Sequence, residues 1–179
     1  MRTVDQIVIS APVARVFDVA TDVERWPAIL SHYRRVRFLD RSDRGGTVEM
    51  AAWRPFGPLR YPVWWVSDMT VDPTACEIRY RHVRGITTGM DVVWRFDVLQ
   101  DSVSPSPPFR VGTTEDVDTV VTIVHAWQGP AWPLIGWLAA NLVIGPVFIH
   151  GIASRTLAGI KRAAERVGDP GPPARGQPL

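Results

Sequence analysis

The 179-residue sequence has a single cysteine, Cys76, so an internal disulfide framework is excluded and nothing ties the chain to an oxidising compartment. It has one lysine, Lys161, against 19 arginines, and acidic residues interleave with them to leave a net charge of only +2. That balance argues against a nucleic-acid-binding surface, and the arginine bias reads as codon usage in a genome rich in G and C. No Ser-His-Asp arrangement, phosphate-binding glycine loop or zinc-ligand spacing occurs. The opening MRTVDQIVIS alternates polar and apolar residues instead of forming the continuous apolar core of a secretory leader, so a cytoplasmic protein is expected. A chain of this length can bury a core in one domain, expected over residues 1–168. Residues 169–179, rich in Pro and Gly, are expected to be a disordered tail, and the Pro-rich stretch 101–114 a mobile loop.

Also missing is any Asp, Glu, Lys or Arg between residues 130 and 153. The run is long enough to cross a bilayer, which takes roughly 20 apolar residues. A spanning segment should be one continuous helix, however, and Gly145-Pro146 interrupts this one while His150 sits in its final third. The spacing predicts a short helix near 133–144 and a long one near 146–167. In the second, Ile149, Ile152, Ala153, Thr156, Ile160, Ala164 and Val167 form the face that would pack on a sheet. The first, with Trp132, Trp137, Leu138 and Leu142, is apolar all round. Its surplus surface calls for an acyl ligand, a second subunit or peripheral contact with a membrane, through 132–144. A proline-rich turn carrying Phe56 and Leu59 offers a second apolar lip.

What is present is mostly strand. Residues 3–10 alternate as a strand; Ser10 can then cap a helix in which Pro12 fits the first turn and Val13, Val16, Phe17 and Ala20 recur at helical spacing. A second helical stretch follows and is broken by Pro27. Six strands are expected near 33–41, 46–54, 60–72, 76–84, 88–100 and 115–127. Their alternation leaves one face wet and one apolar, as in an antiparallel sheet covered on one side. The order predicts an α+β helix-grip fold: a curved seven-stranded antiparallel sheet around a long C-terminal helix, with two short helices after the first strand.

The same alternation predicts a cavity lining. Val63, Trp65, Ser67 and Met69 fall on one face, as do Ile78, Tyr80 and His82. So do Met90, Val92, Trp94, Phe96 and Val98, and Val121, Ile123, His125 and Trp127. The result is aromatic and largely uncharged, suited to a long apolar ligand with few oxygens. Asp91 and Asp97 read outward, and Tyr33 is out of phase with Val36 and Phe38, so only a bulge or a loop position would turn it inward. His82 and His125, flanking the strand through Met90 and Trp94, are acid–base candidates, because histidine moves protons near neutral pH. Tyr80 and Ser67 are candidate donors to a carbonyl. No metal site is expected, since no third ligand shares the face of the two histidines. The cluster Arg34, Arg35 and Arg37 could meet an acidic partner.

The stretch APVARVFDVATDVERWPAIL, the Trp26-Pro27 pair, the strands WWVSDMTV and VVWRF, and the closing LAGIKRAAE resemble the START-like (SRPBCC, helix-grip) superfamily. The branch they resemble is that of polyketide cyclases/dehydrases and coenzyme Q-binding proteins, and the likeness extends over about residues 3–167. Relative to bacterial aromatase/cyclases, Trp26, Tyr33, Trp65, Ser67 and Trp94 stand at pocket positions, while Met69 stands where those enzymes carry a pocket arginine. Arg54, Met69 and Trp127 join Trp26, Tyr33, Trp65 and Trp94 as candidate substrate contacts. The resemblance implies a protein of polyketide biosynthesis that binds an acyl or polyketide chain and promotes its cyclisation and dehydration without a cofactor. It would be served by an acyl carrier protein docking at Arg34, Arg35 and Arg37. The alternative it implies is a non-catalytic lipid or quinone carrier. The missing arginine favours the carrier; the inward histidines favour the enzyme.

Overall fold

The computed structural model describes residues 1–56, 59–99, 117–129 and 149–166, with the side chains of 54–56 and 59 outside that description. Strand β1 (Arg2–Ile9) is followed by helix α1 (Val13–Thr21), a 3-10 turn (Val23–Arg25) and the one-turn helix α2 (Trp26–Ile29). Six strands follow: β2 (Tyr33–Ser42), β3 (Gly45–Phe56), β4 (Leu59–Asp72), β5 (Glu77–Gly85), β6 (Asp91–Val98) and β7 (Thr119–Ala126). Helix α3 (His150–Arg166) closes the described chain. The strands form one antiparallel sheet in the order β1-β7-β6-β5-β4-β3-β2. The chain therefore crosses from one edge to the other through α1 and α2, then returns by successive hairpins.

Those hairpins rest on local chemistry. At the β2–β3 turn Gly45 and Gly46 both have φ near +130°, and a Cβ at Gly45 would stand 2.1 Å from the Met69 carbonyl oxygen. Only glycine fits there. At the β4–β5 turn the Asp72 carboxylate accepts from the backbone N–H groups of Thr74 and Ala75, both at 3.0 Å. Tyr33 does turn inward, through a register shift between Tyr33 and Arg35, so that of the two expected routes the bulge is the one taken.

Helix α3 packs on β1, α1 and α2, burying Ala153, Thr156, Leu157, Gly159, Ile160 and Ala164. Leu157 and Gly159 widen the face that spacing alone predicts, and Gly159 lets the Leu30 side chain approach the helix closely. Three local expectations are corrected. Ser10 does not cap α1; its backbone N–H donates to Glu165 Oε1 at 3.0 Å, and the helix starts at Val13 without a side-chain cap. Pro27 lies in the first turn of α2 and so helps to start that helix, where no N–H donor is needed. Val98 is exposed, at the end of β6 beyond the ring contact of Phe17 with Phe96. The run 130–148, Val167, the stretch 101–114 and the tail 169–179 lie outside the described residues, as does any helix at 133–144. Among the described residues no helix is long and apolar enough to cross a membrane.

Candidate functional site

The inner face of the sheet and the start of α3 enclose a cavity. Trp26, Tyr33, Trp65 and Trp94 form its aromatic walls, and Met50, Met90, Val92 and Ile123 its aliphatic floor. Ile149, Ile152, Ala153 and Thr156 cover it from the helix side. The rings interlock: Trp26 meets Tyr33 edge-on at 5.1 Å between centroids and lies 5.8 Å from Trp94, while Trp65 stacks on His82 at 6.0 Å. Among the described residues no Asp, Glu, Lys or Arg side chain is in the lining. The centre of a water molecule can move through about 70 Å³ of the space.

The polar groups are few, and each has a distinct setting. His82 of β5 is buried, with Nδ1 2.6 Å from Thr87 Oγ1 in the turn that follows the strand. Burial, with His125 nearby, pushes its pKa down to about 3 against a weaker opposing pull from Asp91. His125 of β7 is also buried, which lowers its pKa to about 4. Its Nδ1 lies 3.3 Å from Thr3 Oγ1 and 3.9 Å from Asp5 Oδ2. Both rings are therefore neutral at neutral pH. Tyr80 Oη is buried with no hydrogen-bond partner among the described residues, and burial, then the neighbouring Tyr33, holds its phenol well above the ordinary range. Cross-strand register sets Tyr80, Val92 and His125 in one row. Tyr80 and His125 are thus two strand spacings apart, about 10 Å between backbones. Tyr33 is also raised by burial, against a hydrogen bond to Thr156. His32 Nε2 lies 3.1 Å from Thr156 Oγ1, and burial followed by the charges of Arg155 and Arg162 lowers its pKa to about 4.

The family described as polyketide cyclase / dehydrase and lipid transport matches residues 9–145. The chain belongs to this family. A Streptomyces cyaneus protein and a Streptomyces halstedii protein, both named "Putative polyketide cyclase", are each 33% identical to it. The first match runs over 101 residues, 55% of this chain and 64% of that protein, so the chain spans less than two thirds of that relative's length. The second runs over 104 residues, 56% of this chain and 92% of the relative. The solved Zhui aromatase/cyclase from Streptomyces sp. R1128 superposes at a TM-score of 0.67 with 17% identity, over 95% of this chain and 96% of that one. A START superfamily protein from Mycobacterium smegmatis superposes at 0.60 with 10% identity, over 93% and 98%. At those identities the likeness is one of fold, and it bears out the START-like helix-grip architecture.

In this polyketide cyclase family member the structure brings together Trp26, Tyr33, Trp65, Tyr80, His82, Trp94 and His125 of the residues singled out from sequence. Ser67, Met69 and Trp127 are buried but outside the lining. Ser67 lies between Val48 and His82 in the sheet, its hydroxyl without a partner among the described residues. Met69 pairs with Tyr80. Trp127 pins the end of β7, its Nε1 donating to the Thr88 carbonyl at 3.0 Å and its own carbonyl accepting from the Met1 ammonium at 2.7 Å. Arg54 pairs with Tyr61 in the β3–β4 hairpin, and its side chain lies outside the description. Away from the cavity, the Arg34 guanidinium stacks 4.4 Å over the Trp53 ring, and Arg35 and Arg37 share the Glu49 carboxylate at 3.1 and 2.7 Å.

Sequence reasoning missed Met50, Thr87, His32 and, above all, Asp5. Asp5 is a buried carboxylate on β1 that accepts a hydrogen bond from His150 Nδ1. Burial raises its pKa, opposed by hydrogen bonds with His150 and Ser154 and by the charge of His150. A signal existed: Asp5 shares the strand face of Ile7 and Ile9, where an acid needs a reason. Thr87 and His32 sit in turns, where alternation gives no phase.

Proposed function

We propose that this chain folds the reactive end of a poly-β-ketone in its cavity and promotes cyclisation and dehydration through proton transfers alone. The support is Tyr80, a buried phenol with no partner among the described residues, flanked on the same face by the neutral imidazoles His82 and His125. A phenol so placed can donate to a substrate carbonyl and stabilise the enolate that forms. A neutral imidazole then takes a proton from the methylene between two carbonyls. The resulting carbanion attacks a further carbonyl and forms the ring C–C bond, and the imidazolium returns the proton to the new alkoxide. A second proton abstraction expels that oxygen as water, the imidazolium again supplying the proton. Nothing is oxidised or reduced, so the sequence needs no redox group. We place the reaction in the cytoplasm, and an acyl carrier protein would dock where Arg34, Arg35 and Arg37 outnumber Glu49.

The test is product formation from a thioester-activated poly-β-ketone by His82→Gln and His125→Gln, with the thermal midpoint of each variant measured alongside. General acid–base groups contribute roughly 10²- to 10⁴-fold, so each variant should lose turnover on that scale while staying folded. Wild-type turnover in both would sink the acid–base pair. The apolar lining, with no charged side chain among the described residues, also favours a second reading, a carrier for a lipid or quinone. Tight quinone binding with no conversion of any acyl thioester would decide for the carrier.

A further inference from the structure

We propose that Asp5 is the positioning residue of the cavity base: its carboxylate keeps the proton of the neutral His125 ring on Nδ1, so that Nε2 offers its lone pair to the substrate. The proposal rests on the reading above that His125 carries protons. In the β1–β7 ladder Thr3 stands directly opposite His125, and Asp5 is one inward position further along, opposite Ile123. The Thr3 hydroxyl contacts His125 Nδ1, but a hydroxyl can donate or accept and so cannot choose the tautomer. A carboxylate can only accept. Asp5 Oδ1 is taken by His150, whereas Oδ2 is buried, has no partner among the described residues, and lies 3.9 Å from His125 Nδ1. An orphaned buried carboxylate oxygen is costly, and a proton on the ring nitrogen 3.9 Å away, too far for a hydrogen bond, lowers that cost electrostatically where a lone pair there would raise it. The cost falls further when His125 takes a proton from substrate, because an imidazolium then faces the unpaired oxygen.

The groups that face Asp5 are His125 from β7, and His150 with the Ser154 hydroxyl from α3; those that face His125 are Asp5, Thr3 and, across β6, His82. His150 is largely exposed, so it holds Oδ1 from the solvent side. Were Asp5 instead protonated and donating to Nδ1, the ring proton would sit on Nε2 and His125 would face substrate as a donor. The two arrangements predict opposite tautomers, and that makes the matter decidable.

Long-range ¹H–¹⁵N NMR of the ¹⁵N-labelled full chain near pH 7.5 reads the tautomer directly, with the four histidines assigned by single His→Gln substitutions. The expected wild-type result is a protonated Nδ1 and a bare Nε2 on His125. Asp5→Asn should move the proton toward Nε2 and, in the cyclisation assay, lower kcat by about 10²- to 10⁴-fold with little change in KM. Thr3→Val should leave the tautomer as it is. A wild-type ring carrying its proton on Nε2 overturns the proposal, as does a tautomer that follows Thr3→Val and not Asp5→Asn. If Asp5→Asn fails to fold, the wild-type and Thr3→Val spectra still decide. Should the tautomer be as expected while His125→Gln retains full turnover, Asp5 orients the ring but the assignment of His125 as base is wrong.

Discussion

The two faces of the one sheet are built on opposite terms, residue by residue along the same strands. On the outer face Glu77 is shared by Arg79 and Arg95, Arg81 pairs with Asp91, and Thr47 donates to Asp68. One residue away in each strand, Ile78, Tyr80, Val92, Trp94 and Met69 are buried in the hydrophobic core. The Arg81–Asp91 pair keeps its hydration and holds little energy, whereas Glu77, nearly buried beneath its two arginines, depends on them more. The inner face supplies the apolar burial that holds the fold and the lining that would meet a ligand. The lining of the candidate site is drawn largely from the core, so a change made to alter binding also tests stability.

The comparison breaks most readily at Trp26. Its ring is almost wholly buried and touches Tyr33 and Trp94. Trp26→Ala should lower the unfolding free energy by about 3–5 kcal/mol, read from urea or thermal unfolding. A loss below about 1 kcal/mol would mean that the inner face is loosely filled and the division between the faces misplaced. Acid should sharpen the contrast next. His82 and His125 fold with pKa values of about 3 and about 4, below the ordinary 6.5, so below pH 6.5 the unfolded chain binds more protons than the folded one. Their contribution is flat above pH 6.5. Stability then falls toward pH 4 by up to about 1.4 kcal/mol per pH unit for each ring. His32 acts in the same direction, while Asp5, raised by burial, opposes it. Thermal midpoints across pH 7.5 to 4.5 should drop in wild type and drop less in His82→Gln. A flat profile would mean that the rings protonate freely in the folded state.

The period-2 pattern was enough to read this arrangement because one strand face had to be apolar and the other wet. That argument places Tyr80, His82, Trp94 and His125 on one side with no further information, and even demands a bulge or a loop position at Tyr33. It fails where phase is lost or a partner is remote in sequence. Thr87 enters the cavity from a turn. Ser67 and Met69 have the right phase but lie behind their neighbours, since alternation gives a face and not a depth. Trp127 follows the last residue of β7, where the ring is claimed by the Thr88 carbonyl. Asp5 was legible as an acid on an apolar strand face, but its meaning depended on β1 pairing with β7 and on α3 bringing His150 to it. Those contacts join residues more than 100 positions apart, and no local period encodes them.

The smallest effect is expected on the outer face, and it completes the contrast. Arg81 and Asp91 pair across β5 and β6 with side chains that keep 55% and 53% of their accessibility. Water screens such a pair, and ordering two polar side chains offsets much of the attraction, so Arg81→Ala should cost about 0.2–1 kcal/mol. Added salt should shrink even that, because the Debye length falls to about 3 Å at 1 M. The substitution also probes whether the two faces are independent. Asp91 pulls the His82 pKa upward through its charge, and removing the arginine that partly neutralises it should strengthen that pull. An NMR titration of His82 in Arg81→Ala should therefore show a small upward shift with the ring still neutral at pH 7. A loss of several kcal/mol, or a His82 ring charged at neutral pH, would mean that the outer pairs govern the cavity after all.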